Sequence, residues 1–382
     1  TDMNSLFFEC YRLTDLSPLA NWNTESVTDI QATFYDCSKL TDLSPLANWN
    51  TEKVDNMLQI FMFCRSLTDL RPIANWNTKN VTHMSMMFFC CSSLTDLSPI
   101  ANWDTENVTS MREMFRGCDS LADLSPIANW NIGSVQSMEW MFAECGKLTD
   151  LNGLENWDTR NVKETQYMFR DSSNLSNING LTKWNLEKME NMEEMFYGCS
   201  SLNDLSPLAN WNTENVTDMN SMFENCINLT NLDQLANWNT EKVEDMGGMF
   251  ANCSSLTNLS GLAKWNIGKY VNAMFGDCSE LNDLSPIANW NTENVTYMTY
   301  MFKGCSSLTD ISPLANWNTK NVTSMNKMFY GCSHITNASS INDWDISLVT
   351  SFTQMFYSCP SHPTFTKRAG TWNSDGTFTP SA

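Results

Sequence analysis

A chain of 382 residues would ordinarily divide into two or three globular domains, but 43 Asp and Glu against 22 Lys and Arg give it a formal charge of −21. So acidic a surface repels phosphate backbones and anionic lipid, which excludes nucleic acid as an expected partner. Nor does any run of about 18 apolar residues exist to cross a bilayer, so no membrane insertion is expected.

The chain enters a repeat midway. Thr1-Asp2-Met3-Asn4 is neither basic nor apolar enough for a signal peptide, and no N-terminal cap is recognisable, so further repeat sequence is expected upstream. From there tryptophan recurs every 27 residues, at Trp22, Trp49, Trp76, Trp103, Trp130, Trp157, Trp184, Trp211, Trp238 and Trp265, then at Trp290, Trp317 and Trp344 after one shortened copy. A fixed period of this size is the signature of a solenoid, in which each unit buries its apolar side only against its neighbours. It replaces the multi-domain expectation with one array over residues 1–359, followed by a different segment at 360–382.

Within a copy, Val108, Met111, Met114, Phe115 and Cys118 are followed by Leu121, Leu124, Ile127 and Trp130. Met111, Met114, Phe115 and Cys118 stand at i, i+3, i+4 and i+7, which predicts one face of a two-turn helix. The short Leu121–Leu124 stretch is predicted to pair in parallel with the same stretch of the next coil. Ser125-Pro126 then stops any regular helix or central strand, and the Asn-Trp-Asn-Thr of residues 48–51 reads as a turn. These elements make an α/β solenoid.

Thirteen of the 14 cysteines share one slot, from Cys10 to Cys359, with Cys90 outside it and Ser172 occupying it once. An odd count, the Ser replacement and the apolar face favour free, packed thiols over disulfides, and no Cys-x-x-Cys or His partner suggests a metal. Asp15, Asp42, Asp69, Asp96, Asp123, Asp150, Asp204, Asp283 and Asp310 form another column, interrupted by Asn177, Asn231 and Asn258. Stacked carboxylates could recruit Ca²⁺, but the Asn replacements and the absence of a calcium loop favour turn-bonding Asp, and no cofactor is expected. Asn-Val-Thr sequons at Asn80, Asn107, Asn215, Asn294 and Asn321 arise from the repeat itself. With His83, His334 and His362 in different slots and no nucleophile motif or phosphate loop, the chain is not expected to be an enzyme.

The combined pattern Val-Thr-x-Met-x-x-Met-Phe-x-x-Cys-x-x-Leu-x-x-Leu resembles the repeat of BspA-type leucine-rich-repeat bacterial surface proteins over nearly the whole chain, from Thr1 to about Cys359. The resemblance implies a right-handed leucine-rich-repeat-like stack of about 14 coils with parallel short strands plus short helices. It also implies a secreted or cell-surface, adhesive protein. A shorter likeness links Leu43 to Trp49 with the Ser-Pro-Leu-Ala-Asn turn of internalin-type repeats. That likeness would instead make the Val-Thr-x-Met arm a strand on the concave side.

Two residues before each Met-Phe pair and two after it vary among otherwise near-identical copies. Copies three to seven place Met62, Phe63, Met86, Phe89, Arg112, Arg116, Trp140, Tyr167 and Arg170 in these slots. On the expected helix they face outward, and aromatic, Met and Arg residues together have the composition of an interface hot region. They are the candidate ligand-binding residues, the ligand being a host or neighbouring-cell surface protein or glycan. Self-association of solenoids into a filament or surface layer is the alternative. Near the end, Lys269, Tyr270 and Val271 mark the shortened copy, and the tail from Gly370 to Pro380, with alternating Thr, Trp372 and Phe378, predicts a β-hairpin-like cap.

Overall fold

The computed structural model describes residues 2–381 and separates into two compact units, Thr1–Met189 and Glu190–Ala382. Each is a stack of coils, 27 residues long but for one shortened copy, in which the core slots are buried from the second copy onward, while Trp22 of the first is 42% exposed. Among the described residues the regular elements are twelve 3-10 helices of three to five residues and two strands, β1 (Gly370–Trp372) and β2 (Phe378–Pro380).

The 3-10 helices fall on the Ser-Pro-Leu segments, for example Ser98–Ile100 and Ser125–Ile127, where proline presets φ for a single tight turn. The turn is entered through the aspartate column. Asp96 and Asp123 each accept the backbone N–H two residues on at 2.8 Å, and Asn177 and Asn258 make the same bond at 2.9 and 2.8 Å. An Asx turn needs only the side-chain oxygen, which explains why Asp and Asn interchange in this slot. Hydrogen bonds from Ser17 and Ser44 hold the carboxyls of Asp15 and Asp42 below the usual range.

The Met-x-x-Met-Phe-x-x-Cys segment is not the two-turn helix that its spacing predicts. It is a ladder of tight turns. In the copy at 111–118, the Met114 N–H donates to the Met111 carbonyl at 3.2 Å and the Cys118 N–H to the Phe115 carbonyl at 3.1 Å. Between them, the N–H groups of Glu113, Phe115 and Gly117 donate to Glu139, Met141 and Ala143 of the next coil at 2.8–3.0 Å. Glu113 and Gly117 are left-handed, with φ of 56° and 69°. The physical reason is spacing. Successive Phe rings of the core, Phe88 and Phe115, sit 5.7 Å apart, whereas an α-helix with its side chains is about 10 Å wide. Helices in adjacent copies would collide, while a flat turn ladder exchanges hydrogen bonds with its neighbours and still points Met, Met, Phe and Cys inward.

Parallel pairing is also displaced from its expected place. The continuous run of single bridges lies in the Val-Thr-x arm, Asp29↔Asn56↔His83↔Ser110↔Ser137↔Glu164 in the N-terminal unit and Asn191↔Asp218↔Asp245↔Tyr270↔Tyr297↔Ser324↔Ser351 in the C-terminal unit. Beside the leucines, pairing among the described residues occurs at Asp150↔Asn177, Asn231↔Asn258 and Asp310↔Asn337. The Pro-containing Asx turn that follows leaves little extended chain there to pair.

Three ladders fill the interior. Phe34, Phe61, Phe88, Phe115 and Phe142 stack at 5.7–5.9 Å, and Phe196, Phe223, Phe250, Phe275 and Phe302 at 5.6–5.9 Å. Indole N–H groups of the tryptophan column reach a carbonyl one coil back, as Trp130 to Ile100 at 3.1 Å and Trp317 to Ile287 at 3.1 Å. The cysteines are free, and their thiols donate to the carbonyl of the preceding coil's Phe, Cys118 to Phe88 at 3.3 Å and Cys226 to Phe196 at 3.3 Å. Ser172 makes the same bond to Phe142 at 3.0 Å. The slot therefore asks for a small side chain with one donor. Burial pushes the thiols up, those of Cys37 and Cys359 to about 12.

In the C-terminal unit, β1 and β2 pair antiparallel, Thr371 opposite Thr379. The hairpin folds against the final coil, where the Phe356 N–H donates to the Gly376 carbonyl at 3.1 Å and the Gln354 N–H to Thr377 Oγ1 at 2.8 Å. Trp372 packs on Phe356, Phe365 and Phe378 within 6.0 Å.

Candidate functional site

Four slots per copy flank each Met-Phe pair, and the turn ladder gives them unequal conformations. The second and fourth are left-handed in every copy: Phe63 (φ 63°), Met86 (57°), Trp140 (59°) and Tyr167 (61°) are four of the nine candidate residues. Bulky side chains rarely adopt this region, and each such residue carries a backbone cost of about 1 kcal/mol or more.

The candidates are less exposed than a helical face would leave them. Met62 is buried at 9% exposure, Arg112 is exposed, and Phe63, Met86, Phe89, Arg116, Trp140, Tyr167 and Arg170 are half-buried. Six of them join in one chain of contacts across successive coils. Phe63 meets Phe89 edge-on at 5.1 Å, and the Arg116 guanidinium lies 5.3 Å from the Phe89 ring and 3.9 Å from that of Trp140. Trp140 stacks on Tyr167 at 4.3 Å with the planes 18° apart, and Arg170 stands 5.7 Å from the same indole. Outside this chain of contacts, Gln59 Nε2 donates to the Met86 sulfur at 3.3 Å, and Met62 is buried.

Carboxylates border the strip. Arg116 pairs with Glu113 at 3.2 Å and Glu144 at 2.8 Å, Arg112 with Glu113 and Glu139 at 3.2 and 3.3 Å, and Arg170 with Asp171 at 3.1 Å. Burial raises the Glu139 carboxyl above its usual range, opposed by the Arg112 charge. Guanidinium groups held between rings and carboxylates keep fixed rotamers, so the strip is pre-formed.

Several participants escape a reading confined to copies three to seven. Phe8 stacks on Tyr35 at 4.3 Å, Tyr35 meets Phe63 at 5.7 Å, and Arg65 lies 5.1 Å from the Phe63 ring. In the C-terminal unit the same slots carry Tyr300, Lys327, Tyr330 and Tyr357, with Tyr330 and Tyr357 stacked at 4.7 Å. Carrying the slot comparison through every copy would have found all but Arg65, which lies just past the slots.

No group of three or more His, Cys, Asp or Glu that could hold a metal occurs among the described residues. A depression of about 430 Å³ in the N-terminal unit is lined by Thr109, Gln136, Asn161 and Lys188, and no acid, thiol or imidazole accompanies them. The sequon asparagines serve as inter-coil staples, since Nδ2 of Asn80, Asn107 and Asn321 donates to carbonyls of the coil before at 2.7–2.8 Å.

Among known proteins, the family model described as "Mycoplasma protein of unknown function, DUF285" matches at residues 1–99, 68–178, 91–204, 172–284 and 269–377. No curated protein matches. Similar solved structures include a leucine-rich repeat protein of Bacteroides ovatus, 19% identical over 81% of each chain with a TM-score of 0.40. A leucine rich cell surface protein of Faecalibacterium prausnitzii is 19% identical over 82% of this chain and 76% of its own, with a TM-score of 0.42. A leucine-rich repeat protein of Eubacterium ventriosum is 17% identical over 82% of each, with a TM-score of 0.41. With the family model matching almost end to end and the 27-residue ladders seen in every copy, the chain belongs to the DUF285 family and is a leucine-rich-repeat solenoid of the BspA type.

Proposed function

We propose that this chain is a non-enzymatic, extracellular surface protein that adheres to a protein or glycan of a host or neighbouring cell through the strip of the N-terminal unit. The observation that carries the reading is the unbroken line Phe63–Phe89–Arg116–Trp140–Tyr167, set in the slots that vary while the core slots stay constant. Surface drift does not produce a line of rings and guanidinium groups in mutual contact. Side chains already immobilised by one another lose little entropy on binding, which is the usual cost of an interface rich in long residues. Trp140 has Arg116 in the coil before it and Tyr167 in the coil after it, so it offers a partner its edge rather than its faces. Buried column thiols such as that of Cys118 suit an oxidising exterior, since burial and a raised pKa keep them from reacting as thiolates.

Beads coated with the chain and applied to cultured epithelial cells test this reading. Adherence is expected from a protein that sediments as a monomer. It should be lost when Phe63, Phe89 and Trp140 become Ser, with the far-UV spectrum unchanged. Retained adherence in that variant would refute the assignment. Ordered polymers of the unmodified chain that the same substitutions disperse would establish the assembly role instead.

A further inference from the structure

The C-terminal unit carries a second strip in the same slots, and one of its cations is left without a carboxylate. Lys327 lies with its ammonium 5.6 Å from the rings of both Tyr300 and Tyr330. It has no ion pair among the described residues, whereas Arg112, Arg116 and Arg170 of the N-terminal strip, and Lys303 in this one, are each paired with a carboxylate. Tyr300 and Tyr357 are each 37% exposed, and the hydroxyls of Tyr300, Tyr330 and Tyr357 have no hydrogen-bond partner among the described residues. Beside them Gly331, at φ 76°, leaves the backbone bare. A Cβ placed there would meet nothing closer than Gly304 at 3.8 Å.

We propose that Tyr300, Lys327, Tyr330 and Tyr357 form a binding site for a sugar bearing one carboxylate, such as a terminal sialic or glucuronic acid. An unpaired ammonium between two rings is a receptor for one anionic group. Tyr330 lies between Lys327 and Tyr357, so it is Tyr300 and Tyr357 that offer a flat apolar face to the C–H side of a sugar ring, with the tyrosine hydroxyls for its polar rim. The open glycine shelf lets a ring approach the backbone.

A peptide fits less well. The arm's N–H groups are spent, with Tyr300 donating to Asn326 at 2.9 Å, Lys327 to Thr353 at 2.9 Å and Tyr330 to Lys327 at 3.2 Å. Strand addition therefore finds no donors here. An acidic peptide of several charges would also be repelled by the chain's net −21, which a single carboxylate feels far less.

The test is saturation-transfer NMR with calorimetric titration of the whole chain, using 3′-sialyllactose, a glucuronic-acid-ended disaccharide, lactose and hexaglutamate as probes. At least one acidic sugar should bind saturably, and lactose about tenfold more weakly, as expected from losing one charge-assisted contact. Lys327→Met should abolish that difference, Lys327→Arg should keep it, and Tyr300→Ser should weaken both sugars. Cell adherence through the N-terminal strip should not change in any of the three, so the two sites fail or stand separately. Absence of binding by either acidic sugar, equal binding of lactose, or tighter binding of hexaglutamate overturns the proposal.

Discussion

The thiol column makes the fold alkali-sensitive to a degree that can be worked out. Eleven buried cysteines are pushed upward by burial, five in the N-terminal unit (Cys37, Cys64, Cys91, Cys118, Cys145) and six in the C-terminal unit (Cys226, Cys253, Cys278, Cys305, Cys332, Cys359). A folded pKa above the unfolded one, here about 12 for Cys37 and Cys359, gives stability that is complete below the unfolded value, about 8.5, and is withdrawn as pH rises toward the folded value. At pH 9.5 an unfolded thiol is about nine-tenths ionised, which costs the native state about 1.4 kcal/mol per residue. Five or six thiols then amount to roughly 7–8 kcal/mol for each unit, comparable with the whole stability of a domain. Thermal melts followed by tryptophan fluorescence at pH 7.5, 8.5 and 9.5, below the range of Lys and Tyr, should show a steep fall over the last step. In the native protein at pH 7.5 the twelve buried thiols should stay unreactive to dithionitrobenzoate, leaving at most the half-buried Cys10 and Cys90 to react. Converting Cys226 and Cys253 to Ser, a residue the slot accepts at Ser172, should reduce the loss by about 1.4 kcal/mol each. A melting temperature that is flat from pH 7.5 to 9.5 would refute the reasoning, because no set of buried un-ionised thiols can be indifferent to that interval.

Further outcomes follow from single positions. Gly331→Ala should cost about 1 kcal/mol, readable in a denaturant melt, because φ is 76° and the added methyl meets no atom closer than 3.8 Å, so a cost near zero would mean that the left-handed slots carry no strain. Trp130→Phe removes the donor to the Ile100 carbonyl and should lose about 1–3 kcal/mol from the orphaned acceptor. A Trp130→Phe protein as stable as the parent would show the indole bond to be dispensable. Millimolar Ca²⁺ should leave the melting temperature unchanged, since the column aspartates already spend Oδ1 on their own turns, as at Asp96 and Asp123; a calcium-dependent rise would reassign the column to a metal.

What the sequence made legible was periodicity, and what it concealed was conformation. Trp, Phe, Met and Cys in fixed slots predict inward columns, and each column is buried from the second copy onward. The same i, i+3, i+4, i+7 spacing, however, is met equally by a helix and by consecutive turns with two left-handed residues. Periodicity cannot separate the two. A signal was present in the slot before Cys, where Gly117, Gly198, Gly304 and Gly331 alternate with Asn225, Asn252, Asp36, Asp171 and Asp277, the residue types that tolerate positive φ. Distance between copies was the missing datum, because only a coil spacing well under a helix diameter excludes the helix. At the candidate site, residue identity was readable but its environment was not. No pattern indicates that Arg116 lies between Phe89 and Trp140, or that Lys327 is left without a carboxylate.

The one-way exchange of backbone hydrogen bonds in the Met-Phe arm bears on how such a chain grows over generations. Each coil gives the same N–H groups to its successor and presents the same carbonyls to its predecessor, as Phe88 to Met114 and Phe115 to Met141 at 3.0 Å. Within each unit the junctions between full-length copies are thus interchangeable. Recombination that duplicates or deletes a whole copy leaves no junction unmatched, whereas a change of any other length must be repaired locally. The shortened coil shows such a repair at Gly268, where any Cβ would fall 2.5 Å from the Glu244 carbonyl. A gene for this fold can lengthen, shorten and reshuffle its surface slots by crossover alone, with selection acting on the displayed residues rather than on the ability to fold.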